Sequence, residues 1–287
     1  MEKKLTAQGP KNRKSYTVTL PLDWVKVQGL DKSRKIDLQV VGAKVVLSAG
    51  GNSERVLINL NDYPHTVIKV LQGLYRQGVN EVKLEYKDSA QLTEVNRLLG
   101  RLMGYEIIEH TKDYIIIKDI TKESSEDFDT VLRRIFLLAL ELTNSRETEQ
   151  IASLDVTIKK LVNYGQRILV KQGHAEYQKV PFYFVLLDRL EKLADEYGWI
   201  LASPLNREQR KQLMDINRAT HKLYELYYKF NASDFDEYEY LTYQLRRKMR
   251  LKPQLDAFDL HAHNVARMLN TMYGTIFSLR HTGKTEA

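Results

Sequence analysis

From Ser124 onwards the chain carries apolar residues at helical spacing and has no segment with the alternating pattern of a strand. Ser124 and Asp127 form a start similar to a capping box, and apolar residues then recur every three or four positions. Further helices are predicted at about 147–171, 181–202, 206–230, 233–250 and 255–279. These helices, joined by short connections, predict a helical bundle or a pair of bundles over 124–287.

The first 50 residues predict a small unit rich in strands. Residues 16–20 alternate β-branched and aromatic side chains with others and predict a strand. A short helix is expected at 23–28, ended by Gly29. The pair Gly42-Ala43 separates two further strands, at 36–41 and 44–47, and predicts a two-residue hairpin turn.

Residues 54–120 predict a second small unit in which helices and strands are mixed. Strands are expected at 56–60, 82–86, 106–109 and 113–118, and helices at 64–77 and 92–103. The fold class is therefore α+β. The predicted domains are 1–50, 54–120 and 124–287.

Nearly all of the net charge lies in residues 1–50, which we call the basic head. It holds ten Lys and Arg against four Asp and Glu, a balance of +6, whereas the whole chain has 44 against 37, or +7. A basic unit on a nearly neutral body is typical of a nucleic-acid reader attached to another module.

Composition excludes several classes of protein. The chain has no cysteine, so disulfides and thiolate metal sites are excluded. Its longest apolar run, 135–140, is far shorter than the roughly 20 residues that span a bilayer. Residues 1–5 lack the apolar core of a signal peptide. We expect a soluble, cytoplasmic protein with no membrane insertion.

The basic head resembles the SpoVT/AbrB family of DNA-binding domains. The matching stretches are Ser15-Tyr-Thr-Val-Thr-Leu-Pro-Leu-Asp-Trp-Val25, Gln28-Gly-Leu30, Lys35-Ile-Asp-Leu38 and Lys44-Val-Val-Leu47. This resemblance implies a head that pairs into a homodimer by interleaving its strands, a swapped-hairpin arrangement, and that binds double-stranded DNA. A unit of about 50 residues is in any case marginally stable alone.

The remainder of the chain resembles archaeal regulators of the PhoU type. The similar stretches are Arg101-Leu-Met-Gly-Tyr-Glu-Ile-Ile-Glu109, Tyr114-Ile-Ile-Ile-Lys-Asp119, Val131-Leu-Arg-Arg-Ile135, Leu190-Glu-Lys-Leu-Ala-Asp195 and Ala262-His-Asn264. The resemblance implies two repeats of three helices, and transcriptional regulation linked to phosphate uptake. A phosphate-transport or signalling protein would be a further partner.

Two clusters of cations are the candidate DNA-binding residues: Lys11, Arg13 and Lys14 before the first predicted strand, and Lys32, Arg34 and Lys35 before the second. Lysine and arginine in loops can approach phosphates, and arginine can also read guanine edges. The alternative for such clusters is a solvated surface. The resembled family often has Gly-Asp in the second turn, whereas Ser33-Arg34 stands here.

Carboxylates on the helices are the candidate metal ligands. PhoU proteins often carry Glu/Asp-x-x-x-Asp motifs that bind metal, and this spacing places two carboxylates on one helical face. Here Glu191 and Asp195 keep such a motif, whereas Asp155 is followed by Lys159. In the second repeat Leu260 replaces the second acid, although Asp256, Asp259 and His263 share a face. The alternative is that Lys159 pairs with Glu191 or Asp195 in place of a metal, and we expect no cofactor.

No phosphate loop, nucleophile elbow or paired-histidine motif occurs, so we do not expect an enzyme. The leading hypothesis is a homodimeric DNA-binding regulator. One alternative is an adaptor whose head mainly dimerises the chain, and another is a chromatin-like DNA binder that tolerates any sequence. The late tyrosines suit either an interface or partial burial in the bundle. They are Tyr224, Tyr227, Tyr228, Tyr238, Tyr240 and Tyr243.

Overall fold

The computed structural model describes residues 3–10, 13–41, 44–48, 55–121, 127–145, 147–250 and 255–281. The chain divides into an N-terminal unit, Met1–Asn52, and a C-terminal unit, Ser53–Ala287. Strands and helices are interspersed along the chain up to Asp119, and the described residues after it form helices. The predicted α+β class is therefore confirmed.

The N-terminal unit consists of two antiparallel strand pairs with two short helices between them. Strand β1 pairs with β2, and β3 pairs with β4. Val41 lies opposite Lys44 in the register of these strands, and the turn predicted at Gly42-Ala43 lies outside the described residues. The elements are β1 (Thr6–Gln8), β2 (Ser15–Thr17), α1 (Leu22–Val27), α2 (Leu30–Ser33), β3 (Asp37–Val41) and β4 (Lys44–Ser48).

Two elements of this unit differ from the sequence prediction. Strand β1 was not predicted, because its three residues are too few to establish an alternating pattern. The strand predicted at 16–20 is confined to Ser15–Thr17. The ladder ends there because β1 begins at Thr6, opposite Thr17, and offers no partner to residues 18–20.

The C-terminal unit begins with a sheet region, residues 55–121, in which four strands lie in the order β5-β6-β8-β7. Strands β5 and β6 are parallel because α3 crosses between them, and the other pairs are antiparallel. The elements are β5 (Arg55–Asn59), a 3-10 turn (Leu60–Asp62), α3 (Val67–Arg76), β6 (Glu81–Glu85), α4 (Ser89–Leu99), β7 (Tyr105–His110) and β8 (Tyr114–Asp119).

Alternate residues of the central strands build the core of the sheet region. Val82 and Leu84 of β6 are fully buried, as are Ile115 and Ile117 of β8. They pack in one cluster with Leu71 of α3 and with apolar residues of α4. The period of two along each strand therefore places one face of the sheet against the helices.

The helical region, residues 127–281, follows the predicted bounds to within a few residues. Its helices are α5 (Phe128–Asn144), α6 (Thr148–Lys171), α7 (Val180–Leu201), α8 (Arg207–Tyr228), α9 (Ala232–Arg250) and α10 (Ala257–Arg280). Helix α10 packs against α7, α8 and α9, and α6 packs against both α5 and α7. The buried faces form one hydrophobic core.

A buried arginine joins the sheet region to the helical region. Arg167 of α6 is 3% exposed and donates to the backbone oxygens of Tyr75 and Val79 at 2.7 and 2.9 Å. It also forms a 2.7 Å ion pair with Asp119 at the end of β8. Its guanidinium lies over the ring of Tyr105, whose pKa burial raises to about 12 against the opposing effect of Arg167. This buried polar contact therefore links the sheet region to the helical region.

The predicted boundary between 54–120 and 124–287 separates two hydrophobic cores, but both belong to one compact unit. Their independence as domains stays a prediction. Within the described ranges, no helix combines the length and the apolar character needed to cross a bilayer.

Candidate nucleic-acid interface

The first basic loop connects β1 to β2 and carries Arg13 and Lys14. The Arg13 amide donates to the oxygen of Pro10 at 2.9 Å, which closes the loop into a turn. Gly9 has a φ of 100°, and a Cβ there would lie 2.5 Å from the backbone oxygen of Arg13. Only glycine fits this position, so Gly9 sets the point from which the two cations project.

The second basic loop follows α1 and is built on two residues with left-handed backbone. Gly29 has a φ of 64° and begins α2, which carries Lys32. Arg34 ends α2 with a φ of 50°, and its amide donates to the oxygen of Leu30 at 2.9 Å. Lys35 follows directly, so three cations lie within four residues of one tight bend.

The five described cations of these loops are exposed. None of their side chains takes part in a hydrogen bond or ion pair with another described residue. Lys11, the sixth predicted member, lies outside the described residues. The side chains that the structure does describe are therefore available to anions in solution.

Exposed lysine and arginine side chains on loops can bind anionic groups such as phosphates. Lysine and arginine there can replace the counterions of a phosphate backbone, and arginine can donate two parallel hydrogen bonds to one acceptor pair. Because the loops are short and their backbone is closed by turns, the charges start from fixed positions rather than from a long flexible arm. The arrangement can bind a polyanion.

The N-terminal unit leaves most of its apolar side chains in contact with water. Leu30 is the one apolar side chain that is buried among those described in this unit. On the hairpin, Leu38 and Val40 are 62% and 69% exposed, and Val45 opposite is 58% exposed. These exposed side chains form an apolar patch on one face of the hairpin.

The first set of predicted metal ligands lies where α6 packs against α7. Lys159 reaches between Asp155 and Asp195, with N–O distances of 2.6 and 2.7 Å. Burial opposes the charge of Lys159, but the two carboxylates outweigh it and raise the pKa of this lysine. Glu191 instead accepts from Arg76 at 3.3 Å. The alternative pairing of Lys159 is thus the arrangement present, with Asp195 and Asp155 as its partners rather than Glu191.

The second set of predicted ligands lies at the start of α10, where the acids cap the helix. The Asp256 side chain accepts from the amide of Asp259 at 2.8 Å, and the Asp259 side chain accepts from the amide of Asp256 at 3.4 Å. Asp256 is also contacted by Gln209 of α8. His263 is half-buried one turn further on. Among the described residues no group of three or more His, Asp or Glu side chains is arranged to hold a metal ion.

Sequence reasoning missed two polar clusters in the C-terminal unit. One is the joint at Arg167. The other joins α7 to α10, where Glu196 contacts His261 at 2.7 Å and accepts from Asn264 at 3.1 Å. The ring of Trp199 stacks on His261. Helical spacing on α10 places His261 and Asn264 together, but nothing in the sequence indicates a partner 65 residues away.

The chain was compared with models of protein families, with curated proteins and with solved structures, and no match was found in any of the three.

Proposed function

We propose that this protein is a homodimeric regulator that binds double-stranded DNA through its N-terminal unit. The observation that carries the proposal is the pair of short loops with five exposed cations, none of which pairs with another described residue. These charges account for most of the +6 balance of the first 50 residues. No catalytic role is assigned.

The exposed apolar surface of the same unit supports dimerisation. A folded unit with one buried apolar side chain in its described part gains little from hydrophobic burial. Pairing with a second copy would cover the exposed residues of β3 and β4. Two copies would also double the number of cations presented to one duplex, as expected for a dimer that binds two half-sites.

The finer assignment rests on sequence resemblance. The N-terminal unit would be of the AbrB type, and the helical region would be a PhoU-type pair of three-helix repeats that couples DNA binding to phosphate uptake. Transcriptional regulation and the link to phosphate are parts of the proposal that the resemblance alone motivates.

The test uses fluorescence anisotropy of a labelled duplex over a salt series. In the full chain, Arg13→Ala combined with Arg34→Ala removes four cations per dimer. If each contacts a phosphate, the slope of log affinity against log salt falls by about 3 to 4 in magnitude. A matched control combines Lys26→Ala with Lys112→Ala, which removes the same charge outside the two loops.

If the Arg13 and Arg34 double variant binds the duplex with the same affinity and salt slope as the control variant, the proposal is contradicted. That result would favour the adaptor, in which the N-terminal unit only dimerises the chain. Comparison of duplexes separates the remaining alternative. A regulator prefers its sites by about a thousandfold or more. A chromatin-like binder would hold all duplexes with similar affinity.

A further inference from the structure

The outer face of the α8–α9 hairpin has an unusual order of charges. Helix α9 presents Asp236, Tyr240, Tyr243 and Arg247 at offsets of four, seven and eleven, and all four are exposed. This spacing keeps them on one face of the helix. The inward face holds Phe235, Tyr238 and Leu245, which are buried in the core. One stripe thus runs from an acid through two tyrosines to a base.

Helix α8 runs antiparallel to α9. Its charges run from base to acid along the sequence, so in space its basic and acidic ends lie beside those of α9. Lys222 contacts Asp234 at 2.9 Å, and Lys248 contacts Asp215 at 3.5 Å, which fixes the direction and level of the two helices. The N-terminal half of α8 presents exposed Lys211 beside the basic end of α9. Its C-terminal half presents exposed Glu225 beside the acidic end. The hairpin therefore has a basic end and an acidic end.

The stripe on α9 and the charged pair on α8, Lys211 and Glu225, have their midpoints at the same level along the hairpin. On α9, the pair Asp236 and Arg247 and the pair Tyr240 and Tyr243 share one midpoint, between residues 241 and 242. On α8, Lys211 and Glu225 have their midpoint at Arg218. Arg218 and Leu241 line the same cleft, of about 230 Å³, between the helices. One line perpendicular to both helices passes through both centres.

We propose that this outer face binds a second copy of the chain about a two-fold axis along that line. The operation reverses the helices, so Asp236 meets Arg247 of the partner subunit and Tyr240 packs against Tyr243 of the partner subunit. On α8, Lys211 meets Glu225 of the partner subunit. A self-complementary patch of this kind is what an isologous interface requires.

The exposure of the tyrosines agrees with this occupant. Tyr240 and Tyr243 are 66% and 53% exposed, whereas Tyr227 and Tyr238 of the same hairpin are buried. Met214, on the exposed face of α8, is 71% exposed. Tyrosine and methionine are enriched in the cores of interfaces. Asp236 and Arg247 form no ion pair or side-chain hydrogen bond within the described part of the chain.

A partner of a single charge sign fits this face less well. A nucleic acid would be attracted to the basic end and repelled by the acidic end, which are similar in size. Arg218 meets its own copy at the axis, where like charges repel. Replacing it by alanine is therefore expected to strengthen the association.

The experiment is site-specific cross-linking, which the chain permits because it has no cysteine of its own. Full-length chains carrying Tyr240→Cys and Tyr243→Cys are co-expressed with different tags and mildly oxidised. We expect a disulfide between positions 240 and 243 to form about tenfold faster than one between chains carrying Val170→Cys, an exposed position of α6. Peptide mass spectrometry identifies the linked pair.

Charge variants in the same cross-linking chains provide the decisive comparison. Asp236→Arg alone is expected to reduce the rate about tenfold, and Arg247→Asp alone to do the same. Both changes in one chain restore complementarity and the rate. Thermal unfolding of each variant verifies that the helices are intact.

Cross-linking no faster than at position 170, or a rate unchanged by Asp236→Arg, would overturn the proposal. A chain that carries both reversals but whose cross-linking rate stays low would also overturn the proposal. The inference does not depend on DNA binding, because pairing through the N-terminal unit alone would not make the cross-linking rate depend on the charges at positions 236 and 247.

Discussion

At the scale of single residues, Arg34 stands out because of its backbone. It is the one described residue other than glycine with positive φ. The left-handed region costs an ordinary residue about 1 kcal/mol or more relative to glycine. Glycine is the usual residue at such a helix end, so the arginine here has a structural cost. The proposed contact of this guanidinium with DNA would provide a reason for that cost.

Arg34→Gly is therefore expected to stabilise the N-terminal unit and to weaken DNA binding together. The backbone strain is relieved by about 1 kcal/mol, while one cation per chain is lost. Arg34→Ala is the matched control, because it removes the same charge and keeps the strain. Thermal unfolding and duplex anisotropy are measured on all three proteins. If the glycine variant is no more stable than the alanine variant, or binds DNA as the wild type does, this explanation of Arg34 is wrong.

At the scale of elements, one lysine determines how α6 packs on α7. Lys159 is 24% exposed and joins two carboxylates, one from each helix. Without it, Asp155 and Asp195 would face each other with no cation between them. Helix packing here depends on a charge that the sequence places where the resembled motif would have an acid.

Lys159→Met is expected to lower the free energy of unfolding by about 1–3 kcal/mol, because two charged hydrogen bonds are lost. Lys160→Met is the control, since the neighbouring lysine forms no ion pair with a described residue. The folded-state pKa of Lys159 is raised above 10.5, so its contribution is fully present at neutral pH. The contribution disappears as pH rises through that folded pKa.

Urea unfolding of both variants, at neutral and at alkaline pH, measures this difference. The difference in free energy of unfolding between wild type and Lys159→Met should be smaller at alkaline pH than at neutral pH. An equal loss in both variants at neutral pH would show that the ion pairs contribute nothing.

At the scale of the whole molecule, Arg167 joins the two cores of the C-terminal unit. Its side chain and that of Asp119 are 4% and 5% exposed. Burial opposes the charge of Asp119, but hydrogen bonds from Thr121 and Arg167 outweigh it and lower the pKa of this acid. Two backbone oxygens of the sheet region also depend on the same guanidinium.

Arg167→Met is expected to lower the free energy of unfolding by about 3 kcal/mol, because Asp119 loses the nearer of its two cations, with Lys171 staying at 3.5 Å, and two backbone oxygens lose their donor. Hydrogen exchange should increase in 105–119 before it increases in α7 and α10. The pKa of Asp119 should rise, so this variant loses less stability than wild type as pH falls below 3.8. Arg134→Met, at an exposed arginine of α5, is the control. Uniform exchange across the unit would show that the joint does not couple the two cores.

The six helices of 124–287 could be predicted from the sequence because each carries a long apolar period and a clear break at both ends. The strands of 54–120 could be predicted from short β-rich runs bounded by turns. The helix predicted at 92–103 instead lies at Ser89–Leu99, because the side chain of Asp88 caps it by accepting from the amide of Ala90. Strand β1 and helix α2 could not, because elements of three and four residues form through partners rather than through local pattern. Positive φ at Arg34 is likewise set by the bend after α2.

The cations of the candidate interface could be named from charge clustering alone. The closed loops that position them, and the glycine that the first loop requires, depend on backbone contacts across the turn. Arg167 gave no signal, because its acceptors are backbone oxygens some 90 positions earlier, and every residue has such an oxygen. Long-range polar contacts of this kind are determined by packing.

The exposed apolar side chains of the N-terminal unit have a consequence for how the protein responds to its own abundance. A unit that gains its hydrophobic burial only on pairing has a folded population that follows mass action. On dilution, the concentration of paired units, and with it the DNA-binding form, would fall as the square of the free-chain concentration. Contacts between C-terminal units would remove this dependence, since two N-terminal units tethered in one assembly meet at millimolar effective concentration, roughly. The amount of protein in the cell would then affect DNA binding only below the concentration at which the C-terminal units associate.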